Sequence, residues 1–393
     1  MARIGYHLGI DWMITHEDIM SKLQFNPNIE QYSRPASRGS LEDIREKYNL
    51  DNVYQLSQNE NPLGPSPKVV EAIAAIAPTL SYYPNFSDIE LREAIVDAIG
   101  RGLTPEHIYT GCSGFESLEL MARAFLQTDD EMIVSSPSFT GAYAKVAQPL
   151  GAKMIDVPLT PETFDYRVDA VLDAITDKTK IIMVCNPNNP TGTVIPADKF
   201  DTLMNNIPDH VLVVSDEVYH HFVDDATYPD SIKYVLADKN IVIVHSFSKA
   251  YGLAGMRLGY GIAKPEIADY ISNTAGEDLS TAFHQNKLGM AAGIAACNDQ
   301  DYLNFVVDYL RNEQKWVTEQ FDRLDIKYWK PAANFILFET KMLTDDLNQK
   351  MRERGILLRP QSGIGMPYGM RVSLGTHEAN QAFIRALEEI LSV

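Results

Sequence analysis

The segment SFSKAYGLAGMRLGYG (246–261) places Lys249 just after the apolar run IVIVHS (241–246), with Arg257 eight positions later. Lysine is seldom buried without a reason. At the mouth of a sheet, partial desolvation favours the neutral amine, which can form a Schiff base with a carbonyl. Ser246, Ser248 and Arg257 add hydroxyl donors and a permanent cation, the equipment for a phosphate dianion. Taken alone, the same residues also describe a surface lysine beside a glycine-rich turn.

Three further pieces lie upstream. CNPNNPTG (185–192) is a turn rich in Pro and Asn directly after an apolar run, a rigid backbone from which side-chain amides can face a ligand. Asp216 closes the apolar stretch in VVSDEVY, with Tyr219 three positions on; an Asp in that place is as readily a helix cap as a functional carboxylate. In TGCSGFESLELMARAFL, Gly111, Ser113 and Gly114 precede a helical pattern, so free backbone N–H groups at the positive helix end suit an anion.

The elements that must carry these residues alternate. Short apolar runs at 107–110, 131–135, 180–185, 211–215, 241–246 and 259–263 read as strands, several covered on both faces. Segments 87–99, 115–126 and 196–207 carry apolar residues at three- and four-residue spacing and read as helices. That alternation predicts parallel strands joined by crossover helices. Past residue 280 the texture changes. Asp301 is the expected N-cap of a long helix ending near Leu324, and ANFILFE, GILLRP and MRVSLG read as strands among helices at 344–354 and 377–392. The expected division is an N-terminal arm (1–50), a large α/β domain (51–299) and a small α+β domain (300–393).

Composition narrows the function classes. In 393 residues, 34 Lys and Arg stand against 53 Asp and Glu, a net charge of −19 that repels a nucleic-acid backbone. No apolar run approaches a membrane span, and the opening stretch is soon interrupted by Asp11, unlike a secretory leader. Cys112, Cys185 and Cys297 are odd in number and far apart, which fits neither a disulfide framework nor a zinc cluster. His220 and His221 are adjacent, and no His-Glu-x-x-His spacing occurs, so no metal site is expected. A cytoplasmic location follows as the expectation.

The order of the four pieces, together with QNENPLGPSP (58–67), YYPNFSDIELREAI (82–95), GILLRP (355–360) and MRVSLGT (370–376), resembles the fold-type-I pyridoxal-phosphate enzymes. Within them it is most similar to the class I and II aminotransferases of the histidinol-phosphate aminotransferase-like branch, from about residue 29 to the C-terminus. The resemblance implies a large domain with a mostly parallel seven-stranded sheet sandwiched by helices, plus a smaller α+β domain. It implies that Lys249 forms the Schiff base with pyridoxal 5'-phosphate and then acts as the proton-transferring base, and that Asp216 pairs with the pyridine nitrogen. Asn189 and Tyr219 would hydrogen-bond the ring's 3' oxygen, and Phe139 would stack on the ring. Ser113, Gly114, Phe115, Ser246, Ser248 and Arg257 would hold the phosphate. Tyr83 would reach the phosphate of a neighbouring subunit, which implies a homodimer with shared sites. Arg371 and Arg359 would clamp the substrate's carboxylate or phosphate, Arg371 by a bidentate guanidinium, with Asn59 on the substrate-side turn. The implied reaction moves an amino group from an amino acid or a histidinol-phosphate-like amine to a 2-oxo acid.

The pattern also departs from that branch. Ser113-Gly114-Phe115 stands where Gly-Ser-Asp is usual, His245 replaces a frequent arginine, and the arm carrying His7, Asp11, Trp12, His16 and Asp18 is long and polar. These differences keep open a specialised relative that decarboxylates, eliminates from or cyclises an amino acid, including a cationic guanidino one. Ser246 and Lys249 also match the Ser-x-x-Lys signature of penicillin-recognising acyl enzymes, but the companion Ser-Asp-Asn and Lys-Thr-Gly motifs are lacking. A regulator built on the same scaffold would need a basic DNA-binding domain that the first 50 residues do not offer.

Overall fold

Six short, mostly apolar runs that bury nearly every residue, and one partly exposed edge strand, assemble into the central sheet. The computed structural model describes residues 26–29, 40–84, 87–275 and 285–391. The strands are β1 (Ile108–Gly111), β2 (Glu131–Val134), β3 (Lys153–Asp156), β4 (Thr179–Cys185), β5 (Leu212–Asp216), β6 (Ile241–Ser246) and β7 (Gly259–Ala263). Their order is β1-β7-β6-β5-β4-β2-β3, all parallel except β7, which runs antiparallel to both of its neighbours. Six of the seven coincide with the runs read from sequence. The seventh, β3, is an edge strand with the sequence KMID and partly exposed residues, so it lacks the apolar signature of the buried strands.

Each strand buries alternate residues on opposite faces. Val213, Ile241 and Ile243 join one apolar cluster, while Leu212, Val214, Val242 and Val244 join another. The same alternation at the C-terminal ends puts Asp216 and Ser246 on the second face and Ser215 and His245 on the first. Helix α1 (Ile89–Ile99) precedes the first strand, and α2 (Gly114–Phe125) and α3 (Ala197–Asn206) are crossovers between strands, matching the three helices expected there.

The C-terminal elements form a second sheet from β8 (Lys327–Tyr328), β9 (Phe335–Glu339), β10 (Arg359–Pro360) and β11 (Gly369–Ser373), in the order β10-β11-β9-β8 with every pair antiparallel. Helices α4 (Gln300–Arg323), α5 (Thr344–Arg352) and α6 (His377–Leu391) accompany it. Two details differ from expectation. The cap of α4 is Asp299, not Asp301, and its carboxylate accepts from Lys68 Nζ (2.8 Å) in place of capping its own helix. GILLRP splits in two: Ile356–Leu357 pairs parallel with Tyr54–Gln55, and only Arg359–Pro360 joins the small sheet. Contacts group Arg38–Val393 into one compact unit. The arm residues His7, Asp11, Trp12, His16 and Asp18 lie outside the described residues. Among the described residues no helix is long and apolar enough to cross a membrane, and no group of three or more His, Cys, Asp or Glu is placed to hold a metal ion.

Candidate active site

The C-terminal ends of β4, β5 and β6 open into a cleft of about 480 Å³, as ligand sites of open α/β sheets do. Lys249, Asp216, Asn189, Tyr219, Phe139, Ser113, Gly114, Phe115, Ser246, Ser248, Arg257, Arg359, Arg371 and Asn59 all line it, so residues spread over more than three hundred positions of sequence converge as expected. Tyr83 does not. It is 79% exposed and outside this cleft.

Lys249 lies just past β6, where its stem is buried and its amine opens on the cleft. Its Nζ donates to the Gln58 carbonyl (3.2 Å) and sits 5.6 Å from the centre of the Tyr219 ring. Burial, reinforced by the Arg371 cation, lowers its pKa to about 8, so a neutral amine is accessible near physiological pH. Asp216 is the last residue of β5 and is buried. Tyr143 donates to its Oδ2 (2.9 Å), while Oδ1 is buried without a hydrogen-bond partner. Burial pushes its pKa up to about 6, opposed by the Tyr143 hydroxyl. Tyr143 was not singled out from the sequence. It follows Phe139 by four positions on one helix face, the spacing that brings both rings to the same site, here edge to face at 5.9 Å.

The floor is wired together by hydrogen bonds. Asn59 Nδ2 donates to the Tyr219 hydroxyl (3.0 Å), and Asn59 Oδ1 accepts from Ser373 Oγ (2.8 Å). Asn189 Oδ1 accepts from Arg371 (2.6 Å), whose other terminal nitrogen donates to the Ser57 carbonyl (2.7 Å). Asn59 is thus almost fully buried, braced between Tyr219 on the large sheet's turn and Ser373 on β11. Of the asparagines in the 185–192 turn, Asn186 and Asn188 brace backbone and Thr191, and Asn189 lines the cleft.

The anion cradle is built by close approach. Gly114 and Phe115 open α2, and the first amides of a helix have no intrahelical acceptor. Ser113 caps that helix, its hydroxyl accepting from Glu116 N (3.2 Å). On the facing strand, a Cβ on Gly259 would collide with the Gly114 amide nitrogen, so only glycine lets β7 pass beneath the cradle. A single glycine in a strand gave no sequence signal for this. Three non-glycine site residues take positive φ, Asn59 (56°), Ser113 (114°) and Arg257 (55°), and such backbone strain gathers at functional sites.

The family model described as aminotransferase class I and II matches residues 51–387. The chain belongs to the class I and II aminotransferases. The histidinol-phosphate aminotransferase of Brevibacillus brevis is 34% identical over 90% of this chain and 94% of its own length. Histidinol-phosphate aminotransferase 2 of Pasteurella multocida is 32% identical over 94% of this chain and 98% of its own length. Among solved structures, the histidinol-phosphate aminotransferase from Sinorhizobium meliloti in complex with pyridoxal-5'-phosphate matches with a TM-score of 0.82 at 22% identity, over 94% of this chain and 98% of that one. A Thermus thermophilus aspartate aminotransferase mutant matches at 0.77 and 22%, over 93% and 100%. The fold is therefore that of the fold-type-I enzymes, and this aminotransferase is a transferase that uses pyridoxal 5'-phosphate.

The residues present fit that cofactor. The unpartnered Asp216 Oδ1 is a buried carboxylate oxygen awaiting a donor, as a protonated ring nitrogen would be. The glycine approach at Gly114 and Gly259 leaves a backbone cradle suited to a phosphate.

Proposed function

We propose that this aminotransferase takes as amino donor a small amine bearing a phosphate or carboxylate, with a histidinol-phosphate-like amine first, and a 2-oxo acid as acceptor. The observation that carries the donor class is the register of the small sheet. Arg359 and Arg371 are direct cross-strand partners on β10 and β11, and both line the cleft. Two guanidinium groups set opposite one another across a pair of strands and opening on one cleft suit an anionic group of the donor, which both can reach. Burial lowers the Arg371 pKa to about 10, which still leaves it cationic at neutral pH. The curated relatives named histidinol-phosphate aminotransferase support the phosphate form of that anion.

Each residue has a part. Asp216 holds the pyridine nitrogen, and Asn189 and Tyr219 face the ring's phenolic oxygen. Ser113, Gly114, Phe115, Ser246, Ser248 and Arg257 hold the phosphate, and Phe139 covers the ring. The chemistry supplied by bound pyridoxal phosphate is an electron sink for the bond broken at the donor's α-carbon. Lys249 moves the proton: its lowered pKa lets the amine accept a proton at neutral pH and return it. Arg371, tethered to Asn189 and Ser57, orients the donor's anion so that the α-carbon meets that amine. Tyr83, exposed and away from its own chain's cleft, suits contact with the phosphate site of a second copy, so we read the protein as a homodimer. The same reading divides the chain into a cofactor-holding part (51–299) and a part (300–393) that contributes the arginines.

A panel of amino donors tests this, with histidinol phosphate, aspartate, aromatic and guanidino amino acids each paired with 2-oxoglutarate and the products identified by mass. Glutamate formation with histidinol phosphate is expected to exceed that with the others. A product that keeps its amino group but has an altered side chain would overturn the transamination reading in favour of elimination or cyclisation.

A further inference from the structure

On the face of the sheet opposite Asp216 and Ser246, where β5 and β6 otherwise bury apolar side chains, lies a polar cluster that the reaction does not use. Glu217 follows Asp216 directly and is buried; Ser215 Oγ donates to its Oε1 (2.7 Å). His245, also buried, places Nε2 3.8 Å from Glu217 Oε2, and that nitrogen has no hydrogen-bond partner. Its Nδ1 lies 3.1 Å from the Tyr260 hydroxyl. The His245 ring stacks on His220 (3.7 Å between centroids, 14° between planes), and His220 lies 3.8 Å from His221. The hydroxyls of Ser231 and Tyr228 also favour the Glu217 carboxylate and the charge of Asp230 opposes it, and Tyr251 packs edge-on against His221. On the other side, Asp216 is faced by Tyr143, Cys185, Tyr219, Tyr228 and Lys249.

Resting on the cofactor reading above, we propose that Glu217, whose protonated carboxyl faces the unpartnered Nε2 of a neutral His245, is a positioning residue that stores one proton behind Asp216 and, on losing it to solvent, strengthens the hold of Asp216 on a protonated pyridine nitrogen. Two buried carboxylates on consecutive residues repel, so near neutrality one of them keeps a proton. Tyr143 donates to Asp216 and the Lys249 amine favours its carboxylate, whereas Glu217, whose pKa burial raises to about 7, faces an unpartnered His245 nitrogen that can accept from its acid form, so Glu217 is the one that keeps it. Burial lowers the pKa of His220 and His221 well below the ordinary imidazole value and that of His245 to about 3, so the stack is a polar wall without charge of its own. As pH rises past about 7, Glu217 ionises, and the added negative charge opposes loss of the ring-nitrogen proton at Asp216.

The test compares affinities of the apoprotein for pyridoxal phosphate and for its analogue with CH in place of the ring nitrogen, from pH 5 to 10. The affinity ratio isolates the Asp216 pairing. In Glu217→Gln the alkaline midpoint of that ratio is expected to fall by about one pH unit, with analogue affinity unchanged and Glu217→Asp restoring the wild-type profile. Ser215→Ala, which removes a hydroxyl that favours the carboxylate, is expected to move the midpoint the same way by less. An unmoved midpoint in Glu217→Gln or in Ser215→Ala overturns the proposal. Absence of any preference for pyridoxal phosphate in the wild type would instead overturn the pairing of Asp216 with the ring.

Discussion

The floor and the rim of the cleft are built differently. On the floor, Asp216, Asn189, Tyr219, Asn59 and Arg371 are buried, and each is held by a neighbour on another element: Tyr143 to Asp216, Asn59 to Tyr219, Arg371 to Asn189. On the rim, Arg359, Arg257 and Glu60 are exposed, as are Phe115 (36%) and Phe139 (42%). Pre-set geometry belongs where a cofactor's chemistry is fixed, and exposed charge belongs where substrates enter and leave. Of the three positions that depart from the related branch at the phosphate turn, Ser113 and Gly114 are buried and Phe115 falls on the rim, and the arginine pair spans the two regions.

If that contrast holds, floor substitutions abolish turnover and rim substitutions redistribute it among donors. Lys249→Ala is expected to lower kcat by about 10⁴-fold, the range of a lost general acid and base, measured as glutamate release at saturating donor. Asp216→Ala should cost about 10³-fold in kcat, similar to removing one preorganised electrostatic partner, while some cofactor remains bound through the phosphate cradle. Arg371→Lys should lower kcat/KM about 100-fold for anionic donors, because an ammonium cannot reproduce the planar fork that reaches Asn189 and Ser57. Arg359→Lys, on the rim, should cost about 10-fold and change the ranking of donors more than the best rate. Equal losses from Arg359→Lys and Arg371→Lys would erase the distinction.

The smallest effect is one of pH and stability. The folded-state pKa of Asp216, about 6, is raised above its ordinary 3.8, so between about pH 4 and pH 6 the folded apoprotein binds this proton more tightly than the unfolded chain does. The contribution is fully present below pH 4 and is lost as pH rises through 6. Melting temperatures of the apoprotein should therefore show less decline across that window in Asp216→Asn than in the wild type.

Most of the floor was legible in the sequence because its residues sit where strands end. VVSD and IVIVHS announce buried strands, and a charged or hydroxyl residue closing such a run has few places to point. What stayed hidden depended on tertiary approach. Tyr143 looks like one more aromatic on a helix until its hydroxyl is seen on Asp216. Gly259 looks like any strand glycine until the cradle is seen pressed against it. Asn59 was placed on the substrate-side turn, and its burial between Tyr219 and Ser373 depends on two sheets meeting. The edge strand β3, with two charged residues in four, carries no apolar signature.

One amine, that of Lys249, is proposed to take the cofactor's aldehyde. Its pKa of about 8 adds that capture by the apoprotein should accelerate as pH rises through 8 and not wait for the ordinary lysine range. Borohydride reduction of the loaded protein followed by peptide mass spectrometry is the direct measurement. A pyridoxyl group on Lys249 alone is expected; a stable adduct on any other lysine, or none at all in a protein that still transaminates, would overturn the assignment of Lys249.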